Sequence, residues 1–143
     1  FPAMQAALDA GRVDAIMIAE PFLTAARKTE RAIASPYDAV SKDFLVSAYF
    51  AMQPYVKDHP DVVNRFVGAL HETAVWANQN HPRSAELLVA YSKIDPAVIT
   101  TMARVHYGER LTPAILQPII NVAAKYGNFA SFPAQELIYN PTR

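Results

Sequence analysis

Cysteine is absent from the 143 residues, which excludes disulfides and thiolate metal sites and leaves the redox compartment open. Glycine is nearly as scarce, with four residues. There is no Gly-rich phosphate loop and no G-x-S-x-G nucleophile elbow. Net charge is also missing: 13 Lys and Arg balance 13 Asp and Glu. A DNA or RNA binder needs a basic footprint to release counterions, and no global one is present, so no nucleic-acid partner is expected. No run of like charges marks a tail. The longest apolar run, around Ala15 to Ala19, is far too short to span a bilayer. The N-x-[ST] triplet Asn140-Pro141-Thr142 has proline in the middle and is no glycosylation acceptor. The opening Phe1-Pro2-Ala3-Met4 lacks an initiator methionine, a basic n-region and a signal-peptide core. The chain is therefore expected to be a fragment or a processed product.

What is present is enough for a core. The chain is 52% hydrophobic and 18% charged, with a mean hydropathy of +0.04, in the range of one ordered domain. Met4, Ala7 and Leu8 share a helical face, and Gly11 stands where a C-cap glycine belongs. Val13 to Ala19 is nearly all apolar and too short for a typical helix, the pattern of a strand covered on both faces. Pro21 can open the next helix, whose face is marked by Phe22, Ala26, Thr29 or Glu30, and Ile33. Helix–strand–helix is a piece of an α/β architecture. Ser35-Pro36-Tyr37-Asp38 reads as a turn, and Phe44 to Met52 as a second, largely buried strand.

Beyond it the pattern turns helical. Val63, Phe66, Val67, Leu70, Ala74 and Ala77 form a stripe. Further helices are expected over roughly Pro82–Tyr91, Pro96–Tyr107 and Pro113–Tyr126, with a turn near Pro133–Ile138. Of the eleven prolines, five punctuate helix starts, at Pro21, Pro60, Pro82, Pro96 and Pro113. Asp95 and Thr112 suit N-caps, and Gly108 and Gly127 suit C-caps. Pro118 inside a helical pattern predicts a kink or a restart. Two strands make no stable sheet alone, so partner strands are expected from upstream sequence or from another chain. Folded by itself, the chain would leave both strand edges unprotected, which predicts self-association.

The stretches "MQAALDAGRVDAIMIAEPF", "FLVSAYFAMQPYVKDHPDVVNRFVGALHETAVWANQNHP" and "LTPAILQPIINVAAKYGNF" together resemble the C-terminal half of periplasmic solute-binding proteins. The branch is the one that serves ABC importers of nitrate, sulfonates, taurine and pyrimidine precursors of thiamine. No one motif is decisive; their order and spacing carry the resemblance over most of the chain. It implies a type II periplasmic-binding-protein fold with ligand in an inter-lobe cleft. Residues 1–43 would end the second lobe, 44–53 would be a hinge-crossing strand, and 54–143 would form the helical C-terminal part of the first lobe. It also implies a periplasmic location, or an extracellular one as a membrane-tethered lipoprotein, and ABC permease subunits as partners.

The candidate ligand-binding residues are Glu20, Pro21, Phe22, Ser47 and Tyr49. Ligands in open α/β sheets sit beyond the carboxyl ends of strands, and Glu20 stands at such an end. Two readings remain open for it. Its carboxylate caps the following helix and rests in the positive end of its dipole, or it faces the cleft and favours an amine or aminopyrimidine through charge-assisted hydrogen bonds. Many members of the family carry an aromatic residue just before this acid; Ala19 stands here, so a stacking wall must come from elsewhere, with Phe22 the nearest candidate. Ser47 and Tyr49 share a strand face, where hydroxyls either meet ligand or pair with backbone.

The four histidines, His59, His71, His81 and His106, do not form a metal site. His71-Glu72 begins a zinc-protease motif, but Val75 stands where the second histidine belongs. Trp76 with Phe66 and Leu70 has helical spacing, that of core packing. The expected function is a non-catalytic, cofactor-free solute-binding component of an ABC importer, taking a small polar organic ligand or an oxyanion. The alternatives are a pyrimidine-precursor biosynthetic enzyme on the same fold, or the sensing domain of a receptor.

Overall fold

The computed structural model describes residues 2–140. Every regular element among them is helical. The order is α1 (Pro2–Asp9), α2 (Phe22–Ala26), a 3-10 turn (Pro36–Ala39), α3 (Gln53–Asp58), α4 (Pro60–Gln79), α5 (His81–Ser92), α6 (Pro96–Thr101), α7 (Pro113–Tyr126) and a second 3-10 turn (Ala134–Leu137). The α/β expectation is therefore wrong: no strand and no sheet forms among the described residues, which make an all-α chain.

The physical reason lies in what a strand requires. Apolar runs and alternation state that a segment can be covered on its faces, but a ladder also needs a second backbone beside it. Val13–Ala19 has no such neighbour and is irregular, with Val13 39% and Met17 51% exposed. Phe44–Met52 makes one backbone bond to a distant part of the chain, from the Leu45 N–H to the Ile115 carbonyl at 2.9 Å; at its end the Met52 carbonyl accepts the Val56 N–H of α3 at 3.1 Å. Beyond Leu45, Val46, Tyr49, Phe50 and Met52 all lie exposed.

Where local chemistry suffices, the elements follow the sequence. α1 ends in a Schellman motif: the Arg12 N–H donates to the Ala7 carbonyl and the Gly11 N–H to that of Leu8, both at 2.9 Å, with Gly11 at φ 65°. Asp95 caps α6, its Oδ1 accepting the Ala97 N–H at 2.8 Å. Thr112 precedes α7 without a side-chain capping bond. α2 stops at Ala26, so the helical face expected to continue to Ile33 is not made and Ile33 is exposed. α6 ends at Thr101, well before Tyr107, which leaves Gly108 away from any helix end. α5 terminates instead on Lys93, in the left-handed region at φ 56°. α7 runs through Pro118, whose missing N–H leaves the Ala114 carbonyl without its intrahelical donor.

The chain divides into two compact units, each drawn from two stretches. The first comprises residues up to Ala34 together with Ala77–His106; the second comprises Ser35–Trp76 and the residues from Tyr107 onward. In the first, α6 packs against both α5 and α2, and Val98 and Ile99 of α6 and Ala26 of α2 are buried. In the second, Leu116 and Ile120 of α7 and Ala134 form a buried cluster, with Leu45, Phe132 and Ile138 packed around it. Tyr139 reaches α4 there, its hydroxyl donating to Asn64 Oδ1 at 2.7 Å.

Candidate functional site

Glu20 precedes Pro21 across a cis peptide and is half-buried. Its Oε2 accepts the Thr24 N–H at 3.0 Å, in the first turn of α2. Its Oε1 accepts the Ala103 N–H at 3.4 Å, just beyond α6. Of the two readings open for this residue, these bonds are those of a helix-capping carboxylate, which here also ties α2 to the chain leaving α6. Pro21, half-buried, sits between Glu20 and the helix; Phe22 opens α2 and is 36% exposed.

Phe22 lines a pocket of about 190 Å³ between α1 and α2, together with Gln5, Asp9, Ala25, Ala26 and Thr29. Gln5 and Asp9 are one helical turn apart on α1, and the Gln5 amide Nε2 donates to Asp9 Oδ1 at 2.8 Å. A carboxylate only accepts, so this bond fixes which end of the Gln5 amide carries nitrogen. The other end is Oε1, a buried acceptor with no hydrogen-bond partner. An unsatisfied buried acceptor costs about 1–3 kcal/mol. The pocket thus joins an aromatic ring and a carboxylate, a pair that recognises hydrogen-bond donors and positive charge, while the orphaned oxygen is sealed behind its wall. Thr29 adds a hydroxyl, already donating to the Ala26 carbonyl at 3.4 Å.

Sequence reasoning found Phe22 and missed its companions. Asp9 and Gln5 lie on α1, four residues apart, and the spacing that puts them together is that of ordinary helix surface pairs.

Ser47 and Tyr49 fall in the second unit, on the irregular stretch after Leu45. Both are exposed, and the Tyr49 ring packs edge-on against Phe66 at 5.4 Å between centroids. His71 Nδ1 lies 3.0 Å from the Glu109 carbonyl, and the His59 ring packs at a tilt against Tyr55, with centroids 4.7 Å apart. No group of three or more His, Asp or Glu capable of holding a metal occurs among the described residues. None of their helices is long and apolar enough to cross a membrane.

Compared with known proteins, the chain matches no family model, no curated protein and no solved structure.

Proposed function

We propose that this chain is part of the small-molecule solute-binding component of an ABC importer, and that its solute carries an amine or an amino-substituted ring. The resemblance of its three long sequence stretches to that family supports the transport reading, and with it permease partners and a periplasmic site of action. One observation carries the choice of solute: Phe22, singled out from the sequence, walls a pocket lined on its polar side by the Asp9 carboxylate, Gln5 and Thr29, with no cation among them. An ammonium or amino group would meet the Phe22 ring and the Asp9 carboxylate. An oxyanion such as nitrate would meet a carboxylate with no cation beside it in the pocket lining.

The test is a thermal-shift titration with an aminopyrimidine, nitrate and taurine, on the native chain and on Asp9→Asn and Phe22→Ala. A ligand that binds only the folded state raises its melting temperature in a concentration-dependent way. The aminopyrimidine is expected to do so, and both substitutions to remove the response. A response to nitrate but not to the aminopyrimidine, or one untouched by Asp9→Asn, would overturn the reading.

A further inference from the structure

A second depression in the first unit lies between α5 and α6, an open groove of about 770 Å³. Its volume is in the range of small-molecule sites. Its walls are largely apolar, with Pro82 and Val89 from α5, Pro96 and Ile99 from α6, and Met102 just beyond. Three ionisable side chains also line it: His81, Glu86 and Arg104.

Arg104 is the unusual member. It is half-buried, and its guanidinium is latched to the first turn of α5. Nη2 donates to Ser84 Oγ at 2.9 Å and Nη1 to the His81 carbonyl at 3.4 Å. Ser84 is itself buried, and its hydroxyl donates to the same His81 carbonyl at 3.1 Å. Both acceptors are neutral, and Arg104 makes no ion pair with a carboxylate among the described residues. Two of the five guanidinium N–H groups are thus used and three are left. A partly desolvated cation without a counter-charge is unfavourable, and it is held rigid by a buried hydroxyl, so its ordering cost is already met before any ligand arrives.

The geometry points to a binding site for an organic monoanion with an apolar body, a carboxylate such as a medium-chain alkanoate. The carboxylate takes the remaining N–H groups of Arg104 as charge-assisted hydrogen bonds, and the hydrocarbon lies along Val89, Ile99 and Met102. Glu86 sets the limit on charge: it lines the same groove without pairing with Arg104, so a second anionic group on the ligand meets repulsion. The site shares no lining residue with the Phe22 pocket, and it does not depend on the solute reading above.

The experiment is isothermal titration of the whole chain with sodium octanoate and with 1-octanol, which has the hydrocarbon without the charge. Octanoate is expected to bind at least about tenfold more tightly than octanol, the lower end of what a charge-assisted pair contributes. Arg104→Gln should abolish that difference, with octanol binding unchanged. Because loss of the Ser84 contact can perturb folding, Glu86→Gln supplies an independent arm: removing an exposed negative charge should tighten octanoate binding about twofold or more while leaving octanol alone. Absence of octanoate binding up to its solubility, equal affinities for octanoate and octanol, or octanoate affinity that neither substitution changes would each overturn the proposal. Displacement of octanoate by the aminopyrimidine would do so as well, since it would merge the two sites.

Discussion

Gln117 clasps Ala134: its Oε1 accepts the Ala134 N–H at 2.8 Å while its Nε2 donates to the Phe132 carbonyl at 3.0 Å. Ala134 is 1% exposed, so its N–H loses a buried acceptor if the side chain is cut back. Gln117→Ala is expected to destabilise the chain by about 1–3 kcal/mol, the penalty of an unsatisfied buried donor. Gln117→Glu should cost a comparable amount by a different route, because a carboxylate keeps the acceptor for Ala134 but faces the Phe132 carbonyl without a proton to give. Urea unfolding followed by circular dichroism reads both, as a lowered midpoint at unchanged slope.

Two glycines give opposite expectations. A Cβ on Gly127 would stand 2.5 Å from the Ala123 carbonyl oxygen, which is backbone and cannot swing aside. Gly127→Ala should therefore destabilise α7 and the cluster it carries, by about 1–3 kcal/mol, as overpacking does. Gly68 lies within α4 with open space around it. Gly68→Ala should stabilise by about 0.5–1 kcal/mol, the propensity difference between the two residues in a helix interior. Melting temperatures that move the same way in both variants would contradict this assignment.

The caps of α6 and α7 differ in the same manner. Asp95→Ala removes an observed bond to the Ala97 N–H and should cost about 1 kcal/mol. Thr112→Ala removes no capping bond and should leave stability within about 0.5 kcal/mol of the native chain, as surface substitutions generally do. Parallel chemical denaturation of the two variants decides it.

Glu20 and Asp9 are two carboxylates with separable roles. Glu20→Gln retains an acceptor for the Thr24 N–H and is expected to keep the thermal response to an aminopyrimidine. Asp9→Asn is expected to lose it. The reverse pattern, response lost with Glu20→Gln and kept with Asp9→Asn, would return Glu20 to the role of ligand carboxylate.

Legibility in the sequence followed the range of the interactions involved. Pro82, Pro96 and Pro113 each mark a helix opening, and Asp95 its cap, because those effects act within one turn. Gly11 announced its left-handed C-cap for the same reason. Val13–Ala19 and Phe44–Met52 did not become strands because a strand is specified by its neighbour, and composition cannot say whether one is present. Lys93 was invisible as a helix terminus, since nothing in its chemistry favours positive φ as glycine does. At the candidate site, Glu20 and Phe22 stood out by their place in the chain. Gln5 and Arg104 carried no such mark; what distinguishes them is an orphaned oxygen and an absent counter-charge, and both are properties of surroundings rather than of residue type.

The stretch from Val46 to Ala51 has a further consequence. None of its amide groups donates to a protein acceptor among the described residues, and Phe50 is 93% exposed. Such amides exchange with solvent deuterium at nearly the rate of a free peptide, because no opening step has to precede exchange. The same exposure fits the backbone into a protease cleft without prior unfolding. Brief treatment with chymotrypsin, which favours aromatic residues, should therefore cut first after Tyr49 or Phe50. The bond there joins Leu45, held at the Ile115 carbonyl, to the start of α3, so a cut would leave two pieces that each retain helices.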